Sequence, residues 1–191
     1  MSVSEADFAS RAGVKLAHAL DTFALSPQGR RCADLGSNAG GFVDCLIQRG
    51  AAKVFAIERG YGVLAFSLRR DPRVVVMERT DARHVRLPEP VDLVTIDTGW
   101  TRQHVILPAA VRVLGEGGQI VTLVKPHYEA DAALLRGGVL PDESCGAVLA
   151  GVRQCLPDLG LHLVAETESP LRGHGGNREF LWHLRPVAPK V

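Results

Sequence analysis

The segment Asp34-Leu-Gly-Ser-Asn-Ala-Gly-Gly-Phe42 puts three glycines into nine residues, between an apolar run and an amphipathic one. Gly36, Gly40 and Gly41 permit a tight turn and let the backbone approach a ligand closely, with Ser37, Asn38 and Phe42 completing the loop. The spacing is not GxGxxG, so a dinucleotide's pyrophosphate is not implied. About twenty residues on, Glu58 and Arg59 close a second apolar run, where a carboxylate accepts both hydroxyl hydrogens of an adenosine ribose. Asp81, followed by Ala82, comes after a third run and is placed to accept from an adenine amino group. Asp97 ends a fourth, where it holds a ligand's ammonium. A glycine-rich turn with three strand-end acids suits S-adenosylmethionine better than a nicotinamide cofactor, because that ligand is a cation without phosphate. Singly, each feature has a plainer reading as a structural turn or a helix cap. Their order on successive elements carries the site.

Those residues need a scaffold that brings strand ends together, and the periodicity supplies one. Residues 4–25 show a helical spacing of apolar positions that stops before Ser26-Pro27. Strands are expected at 32–35, 53–58, 74–78, 91–97 and 120–125, with helices at 41–49, 63–70 and 102–114 between them. A polar loop follows over 126–138, then a helix over 142–156 and a closing antiparallel pair at 161–168 and 179–184. Strands alternating with helices predict an α/β fold, a mostly parallel seven-stranded sheet covered by helices on both faces. In such sheets a ligand sits beyond the carboxyl ends of the strands.

Composition bounds the rest. The 191 residues are 46% hydrophobic, which suits one domain with a real core, divided as an N-terminal helix within 1–28 and a catalytic core over 29–186. No run of about 18 uncharged apolar residues occurs, and the N-terminus lacks a signal peptide's apolar stretch. Cys32, Cys45, Cys145 and Cys155 show no metal-ligand spacing, so reduced thiols, a cytoplasmic location and no bound metal are expected. With 22 basic and 21 acidic residues, the formal charge of +1 leaves no global electrostatic footprint for nucleic acid. The basic residues are uneven: 18 arginines and only four lysines, Lys15, Lys53, Lys125 and Lys190.

Six segments, SRAGVKLAHAL, DLGSNAGGFVDCLIQRGAAKVFAIERGYG, VDLVTIDTGW, LVKPHYE, GGVLPDES and SPLRGHGGNREFL, stand in order within a stretch from about Ser10 to Leu184. They resemble the FtsJ-like RNA ribose 2′-O-methyltransferases, and among these the methyltransferase half of the haemolysin-type (TlyA-type) rRNA methyltransferases. The resemblance implies a Rossmann-like class I methyltransferase fold, S-adenosylmethionine as cofactor, and RNA as partner, either rRNA or a ribosomal subunit. It also implies a Lys-Asp-Lys-Glu tetrad, which falls on Lys15, Asp97, Lys125 and Glu179. The chemistry agrees: a ribose hydroxyl is a poor nucleophile until a positioned base removes its proton. Lysine serves once a like charge and partial burial lower its pKa, with Lys15 the expected like charge beside Lys125, whereas arginine stays protonated.

The chain also departs from the family pattern. The family's N-terminal S4 RNA-binding domain has no counterpart in this sequence. Its KPQFE reads KPHYE, and its Asp-Ser-Phe reads Asp97-Thr98-Gly99-Trp100, so Trp100, His127 and Tyr128 flank the expected site. These rings are expected to stack on a base or to shape a different acceptor pocket, unless Trp100 and Tyr128 simply replace aromatic by aromatic with packing unchanged. Six arginines between Arg69 and Arg86 could meet phosphates or pair with the interleaved acids. The loop Arg172-Gly-His-Gly-Gly-Asn-Arg178 is expected to grip substrate through Arg172, Asn177 and Arg178. A small-molecule acceptor on the same fold, or a non-catalytic RNA- or cofactor-binding protein, are the competing functions. Oligomeric state is left open.

Overall fold

The structure is a computed structural model and describes residues 8–187. Seven strands, β1 (Arg31–Leu35), β2 (Lys53–Ile57), β3 (Val74–Met77), β4 (Val91–Ile96), β5 (Leu114–Val124), β6 (Leu161–Glu168) and β7 (Phe180–Pro186), form one sheet in the order β3-β2-β1-β4-β5-β7-β6. Strands β1 to β5 pair in parallel, and β7 runs antiparallel to both β5 and β6. The chain winds outward from β1 to β3, then returns to lay β4 on the other side of β1. That reversal is the switch point at which α/β sheets bind ligands.

Both faces of the central parallel strands β1, β2 and β4 are buried, as such strands require. Cys32, Val54, Leu93 and Val121 face helices α1 (Ala12–Thr22) and α2 (Gly41–Gln48). Their neighbours Ala33, Phe55, Val94 and Ile120 face α4 (Gln103–Val113) and α6 (Cys145–Gln154). Two short helices, α3 (Phe66–Arg69) and α5 (Pro126–Glu129), sit in the loops at the strands' carboxyl ends. α1 lies close on α2 because Gly41 carries no side chain; a Cβ there would come within 2.8 Å of the Gly13 nitrogen. This seating, with His18 bonded to Thr167 across 3.1 Å, carries α1 over β6 and β7.

Several boundaries differ from expectation. The N-terminal helix begins at Ala12, and the residues expected before Phe8 lie outside those described, as does Lys190. The helix expected over 63–70 shrinks to α3, because Glu78 accepts the Gly62 and Val63 N–H groups and draws them into a turn. The loop expected from residue 126 opens with α5, where Pro126 suits a first helical turn. The helix expected from Asp142 starts as a 3-10 turn before α6. All four cysteines are unpaired, and burial pushes the Cys32 and Cys45 thiols up to about 12. Among the described residues no helix is long and apolar enough to cross a membrane.

Candidate active site

A groove runs along the carboxyl ends of β2, β1 and β4. Its outer part is a cleft of about 540 Å³ bordered by Glu58, Arg59, Asp81, Ala82 and Trp100. Its inner part is a recess of about 180 Å³ bordered by Ser10, Asp34, Ser37, Gly41, Phe42 and Lys125. Gly36, Asn38, Asp97 and Gly99 border both, so the two parts are continuous.

The loop after β1 has its shape because of Gly36 and Gly40. Gly36 has φ of 90°, and a Cβ on it would lie 2.6 Å from the Asp97 carbonyl oxygen, so the β1 and β4 loops touch backbone to backbone. Gly40 caps α2 at φ of 100°, and its bare side meets Leu64 and Leu68; it faces the core rather than the groove. Glu58 accepts the Asn38 N–H at 2.8 Å and the Gly60 N–H at 2.6 Å. A carboxylate has about four lone-pair sites, so Glu58 ties two loops together and keeps acceptor capacity for ribose hydroxyls.

Asp34 is the residue that the sequence argument passed over, though it opens the glycine segment. It is fully buried; one oxygen accepts from Thr95 at 2.7 Å, and the other has no partner among the described residues. The Ser37 hydroxyl is likewise buried and unpartnered. Burial pushes the Asp34 carboxyl up to about 7, with Asp97 and Glu58 adding repulsion against the Thr95 bond. An acid inside the otherwise apolar run CADL was the available signal. The groove therefore offers Asp34, Glu58 and Asp97 with two unsatisfied buried polar atoms, a set that fits a cation bearing ribose and amino groups and does not fit a phosphate. Asp81 is differently placed from expectation. Its carboxylate caps the turn Ala82–His84 and pairs with Arg83, whose guanidinium holds it well below the usual range, so much of its acceptor capacity is spent internally.

At the inner end the four tetrad positions come together as two ion pairs. Lys125, the last residue before Pro126, donates to Asp97 at 2.5 Å and to the Thr98 carbonyl at 3.4 Å. Lys15, on α1, donates to Glu179, just before β7. The side chains are 15% and 20% exposed in the first pair and 12% and 4% in the second. Here the structure corrects an expectation: Lys125 is not lowered by Lys15. Its burial favours the neutral amine, but the Asp97 carboxylate, with Glu179 and Tyr128 behind it, outweighs burial and holds its pKa above the ordinary lysine value.

Aromatic rings roof this end. Trp100 is 87% exposed, sits at φ of 60°, and stacks on Tyr128 with centroids 4.9 Å apart. Such a backbone conformation is rare for a bulky residue and recurs at functional sites. His127 tilts against Tyr128 at 4.1 Å, and burial together with Lys125 lowers its pKa.

The loop expected to grip substrate is otherwise engaged. Arg172 pairs with Asp142 at 2.7 Å and Arg178 with Glu168 at 2.5 Å. Asn177 is buried, accepting from the Leu140 N–H and donating to the Gly138 carbonyl. In the arginine cluster, Arg69, Arg73 and Arg83 pair with Glu78, Asp71 and Asp81. Arg70 and Arg79 instead lie over the exposed rings of Phe66 and Tyr61, at 5.7 and 4.2 Å. With Arg59 and Arg86 they are exposed and have no carboxylate partner among the described residues.

This strand order, with an acid-lined groove at the β1–β4 switch point, suits an S-adenosylmethionine-dependent methyltransferase. The chain belongs to the FtsJ-like methyltransferase family, whose model matches residues 8–185. It is 46% identical over 187 residues to the 16S/23S rRNA (cytidine-2′-O)-methyltransferase TlyA of Mycobacterium tuberculosis, covering 94% of this chain and 69% of the relative. A solved protein of Streptococcus thermophilus described as a hemolysin superposes with a TM-score of 0.91 at 35% identity, over 95% of this chain and 68% of that one. A Listeria monocytogenes protein described as an S-adenosylmethionine-dependent methyltransferase shares the fold, with a TM-score of 0.68 at 16% identity over 92% and 97% of the chains.

Proposed function

We propose that this enzyme methylates a ribose 2′-hydroxyl in ribosomal RNA, in the cytoplasm, with Lys125 as the base. The observation that carries the reading is the pair of near-buried Lys–carboxylate contacts at the inner end of the groove, in a chain with only four lysines. A ribose hydroxyl gives up its proton only to a positioned base, and two lysines set against two acids are suited to that task. The bound cofactor supplies an electrophilic methyl group on a cationic sulfur.

The residues act in an order their contacts dictate. While Asp97 faces Lys125, it keeps the amine protonated. Once Asp97 turns to a cationic ligand in the groove, Lys125 loses the contact that raised its pKa, and burial favours the neutral amine. Neutral Lys125 takes the hydroxyl proton as the oxygen attacks. Lys15, held in place by its contact with Glu179, faces the developing alkoxide. Glu58 orients the cofactor's ribose, and Trp100 with Tyr128 offers a stacking face for a base of the substrate. Arg59, which borders the outer cleft and has no carboxylate partner among the described residues, is available to a phosphate there.

The test is transfer of a tritiated methyl group to ribosomal subunits, total RNA and a metabolite extract, followed by mapping of the product. Label in RNA at an alkali-resistant dinucleotide supports the reading. Label only in small molecules overturns it in favour of a different acceptor.

A further inference from the structure

The segment 169–178 does not reach outward; it is fastened down on both sides of Glu179. Ser169 donates its N–H to the Glu179 carbonyl at 2.9 Å, and its hydroxyl bonds the Leu171 carbonyl at 2.7 Å. Gly173 donates to the Asn177 carbonyl at 2.9 Å, and Gly176 to the Gly173 carbonyl at 3.1 Å. Arg172 spans the turn, bonding the Gly176 carbonyl at 2.9 Å and Asp142 at 2.7 Å. Asn177 anchors the far end to Gly138 and Leu140. The piece the turn presses inward is Gly173. A Cβ built there meets only Glu179 as its nearest neighbours: Oε1, then Cδ at 2.7 Å and Cγ at 3.3 Å.

We propose that this strap is a positioning device for the Glu179 carboxylate, with Gly173 as its contact point and the Arg172–Asp142 pair as its clasp. The backbone at Gly173 is ordinary, at φ of −71°, so the glycine is not needed for its conformation. It is needed for space. Glu179 is almost fully buried, and any methyl group at position 173 has to push its carboxylate off Lys15. The bare Cα therefore fixes which way Glu179 points, and through it the placement of the Lys15 amine. This rests on the proposed role of Lys15 and Glu179 for its effect on turnover, but not for the contact itself.

The test reads both. In Gly173→Ala, kcat for methyl transfer to ribosomal RNA should fall by about tenfold or more, as a displaced catalytic group predicts. KM for S-adenosylmethionine and for RNA should hold. Independently of turnover, labelling by an amine-reactive acetylating reagent, read by mass spectrometry, should rise at Lys15 and stay level at Lys53 and Lys125. Arg172→Ala, which leaves Glu179 room but loosens the clasp, should give the same pattern more weakly, with Arg172→Lys recovering most of it; it also carries the test if Gly173→Ala does not fold. Unchanged Lys15 labelling in both variants, or labelling that rises at every lysine, overturns the proposal. A selective rise at Lys15 in an enzyme that transfers no methyl to RNA upholds the strap and rejects the RNA reading.

Discussion

On the β1–β3 side the groove is assembled from residues close in the chain: Asn38 and Glu58 meet across 20 positions. On the β4–β7 side Lys15 and Glu179 meet across 164. The first side is made of loops that follow consecutive parallel strands, and it works through backbone N–H groups and carboxylates. The second depends on α1 lying over an antiparallel strand at the far end of the chain, and it works through two ion pairs. The difference teaches that the proposed cofactor recognition is a property of local turns, whereas the proposed proton chemistry is a property of the complete fold.

The most severe way to split the two sides is Lys125→Ala. It should lower methyl transfer about a thousandfold, the scale of general-base catalysis, while calorimetry still shows S-adenosylmethionine binding. Lys125→Arg should fare no better, since a guanidinium does not lose its proton. Retained turnover in either variant removes Lys125 as the base.

Glu179→Ala strikes the long-range contact and should cost both activity and stability. Removing one partner of a buried pair leaves the other charge stranded, at about 3 kcal/mol, and the misplaced Lys15 should lower kcat about a hundredfold. Denaturant unfolding and single-turnover kinetics measure the two effects. Wild-type stability in this variant would show that the pair is held by packing alone. Glu58→Ala is the counterpart on the other side. It loses two loop bonds and the proposed ribose acceptor, so the KM for cofactor should rise about tenfold with kcat nearly intact, in line with one charged hydrogen-bonding group. An equal fall in kcat would mean that the two sides are not separable.

The same contrast decides what could be read from the sequence. The succession of strands up to β5 and the glycine turn are written in local periodicity and spacing, so they were legible from single segments, as was the place of Glu58 and Asp97 at strand ends. β6 and β7 were legible as a pair, but not that β7 slots between β5 and β6. Lys15 and Glu179 carry no local signature: one lies on an ordinary amphipathic helix and the other precedes an ordinary strand, and only the family resemblance joined them. The pairing of the loop 172–178 was not legible, because glycines beside arginines suggest an open anion site, while the acids that pair with Arg172 and Arg178, Asp142 and Glu168, lie in other segments. Lys125 was misjudged in sign for a similar reason. Its nearest charge is Asp97, not Lys15.

Asp34 gives the mildest test, and the one that asks whether the cofactor side stores an electrostatic cost. Its carboxyl ionises near its ordinary 3.8 in the unfolded chain but near 7 when folded. Between those values the folded protein holds a proton the unfolded chain has lost, so this group's contribution to stability falls as pH rises across the window. His183 works against it. Burial lowers that imidazole from 6.5 to about 4, so the unfolded chain binds the extra proton and stability rises with pH over nearly the same range. The two should partly cancel in the native sequence. In Asp34→Asn the falling contribution is gone and the rising one remains, along with every other titration the two proteins share. Melting temperatures taken from pH 4.5 to 7.5 should therefore climb more steeply in the variant, with a difference on the order of 2 kcal/mol at the upper end. Saturating S-adenosylmethionine should narrow that difference, because a cation near Asp34 favours its ionised form and returns part of the cost. Parallel curves with and without cofactor would mean that Asp34 is neutral for structural reasons alone and takes no part in recognising the ligand.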